Sequence, residues 1–256
     1  MEQKAVSLSA VIIAHNEERN IGRCLDSLKG IVTEIVIVDS QSTDLTREIA
    51  IQKGARVIQQ AFLGYAEQKN FGTSQATSNY ILSLDADEAL SDELRASIIA
   101  AKDNWQHDGY WMSRLTNYCG TWIRHGGWYP DKKVRLYDRR AGKWKGERLH
   151  EGIDIDETQC GMLSGDLLHF SFYTISDHLK VIDKYTEIQA VELFDKGNKA
   201  GLSHLIVRPA FKFFRDYIIK GGFLDGFAGY CVAKLSAKAT FVKYAKLRML
   251  TKSLKK

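Results

Sequence analysis

The sequence predicts an α/β domain with a mixed, mainly parallel sheet, followed by a helical extension. Short apolar runs rich in β-branched residues alternate with helical spacings throughout the first 90 residues. Several of these runs end in carboxylates or other polar groups, as strands do when a ligand lies beyond their ends. The last 80 or so residues change to helical periodicity with many Lys and Arg.

Leu8–Ala14 reads as a buried strand, which His15-Asn16-Glu17-Glu18 breaks. Residues 20–28 follow with helical spacing through Ile21, Leu25 and Leu28. Glu34–Asp39 is a second strand ending in a carboxylate, and Ser42-Thr43-Asp44 can cap a helix over 45–53 that Gly54 ends. Residues 55–59 supply a third strand and 66–75 a helix, and 80–84 form a fourth strand running into Asp85. This β-α-β-α-β-α-β order predicts a parallel sheet covered by helices. From 109 to 172 the texture changes to short aromatic strands and turns. A helix is expected over 176–196, with Leu179, Ile182, Ile188, Val191 and Leu193 on its apolar side. A last helical region starts near Pro209, a residue tolerated in a first turn, and is interrupted by Gly221-Gly222.

A chain of 256 residues can bury a full core as one domain with an appendage. With 45% hydrophobic and 26% charged residues, two prolines and no repeat or low-complexity tract, extended disorder is not expected. Cys24, Cys119, Cys160 and Cys231 lack the spacing of a zinc knuckle or redox motif and read as reduced, mostly buried thiols. No signal-peptide layout and no spanning apolar stretch are present, so a cytoplasmic location is expected. The net charge of +5 is divided: from Lys199 onward 13 Lys and Arg face only Asp216 and Asp225, giving +11 and leaving −6 for the rest. That tail calls for an anionic partner. No nucleic-acid module accompanies it, so nucleic acid is not the expected one.

His15-Asn16-Glu17, Asp39 and Asp85-Ala86-Asp87 fall together at the carboxyl ends of the predicted strands, where ligands of open α/β sheets bind. Asp85 and Asp87, one residue apart, form an oxygen-rich pair of the kind Mg²⁺ and Mn²⁺ prefer. Alone, such a pair reads equally as an acidic turn. Its position in line with Asp39 favours a site.

Four segments in this order, 11–18, 37–40, 68–70 and Leu84-Asp85-Ala86-Asp87-Glu88, resemble the inverting family 2 glycosyltransferases of GT-A fold, a Rossmann-like nucleotide-diphospho-sugar transferase architecture. Arg148-Leu149-His150-Glu151 and residues 217–226 resemble, more narrowly, the bacterial lipopolysaccharide inner-core β-glucosyltransferases. The resemblance implies a metal-dependent hexosyltransferase using Mg²⁺ or Mn²⁺, with UDP-glucose as donor and a heptose of lipid-linked lipopolysaccharide core as acceptor. It divides the chain into a catalytic domain over 1–175 (nucleotide-binding half 1–90, acceptor half 91–175) and a basic amphipathic helical extension over 176–256. Ala14, His15, Asn16 and Glu17 would border the nucleotide base, Asp39 would accept hydrogen bonds from base or ribose, and Lys69 would face the phosphates. Asp85 would lie near ribose and metal, and Asp87 would bind the metal.

Inversion needs a base that deprotonates the acceptor hydroxyl. Glu151, beside a turn glycine, is the first candidate and Asp131 the second; the Glu-Asp pair common in the family is missing there. His169 is either a late metal ligand or a structural histidine. Arg135 is a candidate to hold the diphosphate or an anionic acceptor. Trp111, Trp122, Trp128 and Tyr129 offer an acceptor platform, or simply core packing. In the tail, Phe211, Phe214, Ile218, Phe223, Phe227 and Tyr230 among cations suit a helix lying on an anionic membrane, and equally a packed subdomain. A sugar-phosphate nucleotidyltransferase is disfavoured because 14–18 is neither glycine-rich nor basic. A membrane-associated nucleotide-sugar sensor or scaffold remains the non-catalytic alternative.

Overall fold

The computed structural model describes residues 5–146 and 151–253. The strands are β1 (Leu8–Ala14), β2 (Glu34–Asp39), β3 (Arg56–Gln59), β4 (Tyr80–Asp85), β5 (Glu88–Leu90), β6 (Gly109–Tyr118), β7 (Thr121–Trp122), β8 (Asp131–Asp138), β9 (Lys143–Lys145), β10 (Gly152–Asp154) and β11 (Cys160–Phe172). The helices are α1 (Ile21–Ser27), α2 (Thr46–Gln52), α3 (Tyr65–Gln75), α4 (Asp92–Asp103), α5 (Ile175–Asp195), α6 (Leu202–Leu205), α7 (Val207–Phe214) and α8 (Gly226–Ser253). They form two compact units, one of Met1–Arg114 with Asp131–Phe170, the other of Leu115–Pro130 with Ser171–Lys256.

The first unit holds the sheet, ordered β3-β2-β1-β4-β8-β6-β11-β5. β3, β2, β1 and β4 run parallel, whereas β8 joins β4 and β6 antiparallel, so the sheet is mixed. Strands buried on both faces need no polar alternation, which is why β1 and β2 are nearly continuous apolar runs. Their alternate residues still serve different faces. Leu8, Ala10, Ile12 and Ala14 join Leu25, Leu84 and Leu94 in one core layer, while Val11 joins Val36, Ile81 and Tyr137 in the other. The register sets Ala14 beside Asp39 and Ile13 beside Asp85, so three strand ends become one edge.

Some local features depart from the sequence expectation. Helix α2 begins after Leu45, which has no side-chain cap; instead Asp44 accepts from the Thr46 N–H and Glu18 from the Leu45 N–H, both at 3.0 Å. α4 is capped by Ser91, with Asp92 and Glu93 in its first turn and Lys102 in its last, matching the helix dipole. β6 and β11 are ten and thirteen residues long, not the short strands expected. Of the cysteines, Cys24 and Cys231 are buried but Cys119 is exposed.

The second unit packs Tyr118, Ile123, Trp128, Phe172, Cys231 and Val232 into a small core. α5 opens on a Thr174–Asp177 capping box. Its deepest stripe is His178, Ile182, Thr186 and Ala190, while Leu179, Ile188, Val191 and Leu193 are half-buried. This four-residue spacing of small and medium side chains suits close packing of α5 with α8, which Lys246 ties to Asp183 and Glu187 at 2.9 and 3.0 Å. Among the described residues no helix is long and apolar enough to cross a membrane.

Candidate active site

The loops leaving β1 and β2 are laced together by local hydrogen bonds. His15 Nδ1 lies 2.8 Å from the Ser40 carbonyl oxygen. Asn16 adopts a left-handed conformation (φ 55°), which asparagine tolerates better than most residues. Its N–H donates to Ser42 Oγ at 2.9 Å and its side-chain oxygen accepts from the Thr43 N–H at 2.8 Å. Glu17 N–H donates to Thr46 Oγ1 at 2.7 Å. Asp39 is fully buried and its carboxylate accepts from the Ser42 N–H at 3.1 Å. His15 and Asn16 thus stay exposed on a shaped rim, with Asp39 beneath them fixing the turn.

Beside this rim the structure assembles a charge network. Lys69 is 1% exposed on α3, with Nζ 3.1 Å from Asp85 Oδ1 and 3.5 Å from Glu151 Oε1. Its ammonium also sits 4.3 Å from the centre of the Trp144 ring. Arg135 is buried on β8 and reaches Asp85 Oδ2 at 2.8 Å and Glu88 Oε1 at 3.0 Å. Glu88 in turn accepts from the Asp85 N–H at 3.0 Å and pairs with Arg114 at 3.4 Å. Burial alone would raise the Asp85 acid; Lys69 and Arg135 overcome it and hold the carboxyl well below the usual carboxylate range.

Asp87, two residues on, pairs with His169 of β11 at 3.2 Å. Burial pushes its acid up, but His169 more than offsets this and the net direction is down. Glu17 moves the other way. Burial raises it to about 7, a hydrogen bond donated by the Asn20 side-chain amide opposes, and the charges of Asp87, Asp44 and Asp85 add to the rise. Carboxylates crowded enough to repel a neighbour's ionisation make a site that favours a cation. Among the described residues no group of three His, Cys, Asp or Glu forms a ready metal cage. The Asp87 carboxylate has the oxygen chemistry that Mg²⁺ takes together with waters and substrate phosphates, and His169 beside it adds an imidazole nitrogen.

Residues 9–154 match the family described as Glycosyl transferase family 2. The chain belongs to this family. It is 31% identical over 255 residues to an uncharacterized glycosyltransferase of Rickettsia typhi, covering 95% of this chain and 87% of the relative. It is also 31% identical over 249 residues to the lipopolysaccharide core biosynthesis glycosyltransferase LpsC of Rhizobium meliloti, covering 94% and 91%. Among solved structures it is similar to glucosyl-3-phosphoglycerate synthase of Mycobacterium tuberculosis, determined with Mn²⁺ and UDP, at 24% identity over 45% of each chain and a TM-score of 0.36. The mixed sheet, parallel from β3 to β4 and antiparallel beyond, with flanking helices is the GT-A fold of this family.

In this glycosyltransferase the first unit brings together Ala14, His15, Asn16, Glu17, Asp39, Lys69, Asp85, Asp87, Arg135, Glu151 and His169. Asp131 joins the margin of this network through Arg114, which holds it at 2.6 Å while also meeting Glu88, and Lys133 lies 3.2 Å away. Burial would raise Asp131, and these two cations reverse that and keep it low. Trp128 belongs to the second unit, where its ring packs against Tyr118, Phe172 and His178. His150 lies outside the described residues. Sequence reasoning gave no role to Glu88, Arg114 or Trp144, which hold the network together. Glu88 was visible as the third acid of its segment. Arg114 and Trp144 carried no local signal, since they meet the network only through sheet pairing and the loop after β8.

Proposed function

We propose that this glycosyltransferase inverts the anomeric centre as it moves glucose from UDP-glucose onto the heptose of lipid-linked lipopolysaccharide inner core. It would work at the cytoplasmic face of the inner membrane, touching the anionic surface through its C-terminal helices. The observation that carries this reading is the Asp85–Lys69–Glu151 network, which joins the nucleotide edge of the sheet to a carboxylate fit to act as base. The likeness to LpsC supports the lipopolysaccharide core as acceptor class. The donor sugar follows from the family resemblance.

In this mechanism Glu151 accepts the acceptor hydroxyl proton as that oxygen bonds to the anomeric carbon, while the bond to the diphosphate breaks on the opposite face. Glu151 is preferred to Asp131 because Asp131 is held tightly between two cations, Arg114 at 2.6 Å and Lys133 at 3.2 Å, whereas Glu151 meets Lys69 at the longer distance of 3.5 Å. Lys69 orients Glu151 and Asp85 from a single buried ammonium. Arg135, spanning Asp85 and Glu88, acts as a positioning residue rather than as a diphosphate clamp. His15, Asn16 and Glu17 border the base, and Asp39 fixes the loop that meets base or ribose. When bound, Mg²⁺ or Mn²⁺ neutralises charge on the leaving diphosphate; Asp87 and His169 would hold it, with Asp85 beside the ribose. Donor chemistry then belongs to the first unit.

The test is transfer from several nucleotide sugars to truncated core acceptor with Mn²⁺ or Mg²⁺. We expect acceptor-dependent transfer with UDP-glucose, and a loss of about 10²–10⁴-fold in kcat for Glu151→Gln. Donor binding without transfer under any condition would favour a sensor instead. Near-normal turnover of Glu151→Gln would remove this residue as base.

A further inference from the structure

Helix α7 and the turns after it leave an apolar surface uncovered in the second unit. Val207, Phe211, Phe214 and Ile218 recur at four-, three- and four-residue steps, so they line one helical face of roughly 17 Å. They are 62, 56, 51 and 48% exposed. The next turn adds Phe223, Leu224 and Phe227 at 49, 63 and 75%.

This surface is built on a fixed backbone. A Cβ at Gly222 would lie 2.7 Å from the Asp216 carbonyl oxygen, and one at Gly229 would lie 1.9 Å from the Gly222 carbonyl oxygen. Asp225 clamps the turn from inside, accepting from the His125 N–H at 2.8 Å and meeting His125 Nδ1 at 2.8 Å. The Gly126 N–H adds a bond to the Lys220 carbonyl at 3.0 Å. The apolar side chains therefore face outward from a turn that is tightly held.

The charges choose the occupant. Asp216 and Asp225 are the only acids from residue 199 onward, and both are turned inward. Asp216 is 1% exposed and paired with Lys212 at 2.6 Å and Arg215 at 2.9 Å; Asp225 is held by His125. Exposed Arg208 and Lys220 flank the apolar residues, and Lys234 and Lys238 follow on α8. From residue 199 onward every exposed charge beside this apolar face is a cation, which complements a bilayer with anionic headgroups and disfavours a second copy of the same face.

We propose that residues 207–227 insert into the headgroup–acyl boundary of an anionic membrane, with Phe211, Phe214, Phe223, Leu224 and Phe227 as the inserted side chains. The later part of α8, packed along α5, is not the docking element. This deepens the membrane part of the proposed function and rests on it for the biological bilayer.

The experiment is flotation of the full chain with vesicles of phosphatidylglycerol and phosphatidylethanolamine, against phosphatidylcholine alone. The wild type floats with the anionic vesicles, and less so in high salt. Phe211→Ser/Phe214→Ser and Phe223→Ser/Leu224→Ser each weaken vesicle binding by about tenfold or more. Lys252→Ser, near the end of α8, changes it little. Circular dichroism confirms that the variants fold, and Phe227→Trp, which keeps an aromatic group, gains quenching by brominated lipid. Absence of flotation at low salt, or no added quenching for Phe227→Trp, overturns the proposal. Light scattering that shows a dimer dissolved by the same serine variants reassigns the face to a second copy. Flotation without sugar transfer sinks the enzymatic reading alone, and transfer to lipid-free acceptor without flotation sinks this one alone.

Discussion

Lys69 is an instructive residue because a lysine on a short helix would ordinarily be solvated. Here its ammonium touches two carboxylates and an indole. Such buried pairs add little net stability, since desolvation offsets the attraction, yet removing one member leaves a charge without its partner. Their value at this edge is positional. His178 shows desolvation without an opposing charge. It is 5% exposed, its Nδ1 lies 3.2 Å from the Tyr118 hydroxyl oxygen, and burial lowers it from 6.5 to about 4. The unfolded chain therefore takes up a proton that the folded chain refuses until much lower pH. This contribution is complete above 6.5, and declines by about 3 kcal/mol as pH falls from 6.5 to 4. Urea unfolding of His178→Phe across that range should lack this slope. An unchanged slope would place the dependence on another group.

At the scale of elements, α3 explains how an ordinary-looking helix serves the site. It buries Gln68 and Lys69, so no amphipathic stripe marks it. Gly72 lets it approach the sheet: a Cβ there would lie 2.6 Å from Val11 Cγ1 and 2.8 Å from Val38 Cγ2. Gly72→Ala should thus destabilise the fold by about 1–3 kcal/mol through overpacking, despite alanine's better helix propensity. Denaturant unfolding measures it, and stability at or above wild type would show that the helix yields freely. The same displacement carries Lys69, so transfer should fall along with stability. β11 is a second case, since its thirteen residues carry His169 to Asp87 at the far side of the sheet edge from α3.

For the whole molecule, the division of charge noted in the sequence follows the two units. The first unit concentrates its carboxylates at the nucleotide edge, where Glu17 is pushed up to about 7. Burial is the main cause, with the charges of Asp87, Asp44 and Asp85 adding to it; a divalent ion with a nucleoside diphosphate should offset those charges and stabilise the fold. At a hundredfold excess over Kd the gain is about 2.7 kcal/mol. Thermal unfolding with UDP and Mn²⁺ should therefore show a raised Tm, reversed by EDTA and reduced in Asp87→Asn. A rise with UDP alone that EDTA leaves untouched would remove the metal from the donor site.

Much of this was legible along the chain. The strands at Leu8–Ala14 and Glu34–Asp39 have the residues expected, because fully buried parallel strands are written as unbroken apolar runs. The carboxylates after such runs do fall at one sheet edge, and the cationic tail was plain from composition. What the sequence could not show is who partners whom. Glu88, Arg114 and Trp144 enter the network through contacts made between distant segments, which leave no periodic trace. The exposed apolar stripe of 207–227 is a related case: its spacing was visible, but only packing decides which face of an amphipathic helix is covered. Local periodicity fixed the elements, and tertiary contacts, which set desolvation and charge pairing, decided what each polar residue became.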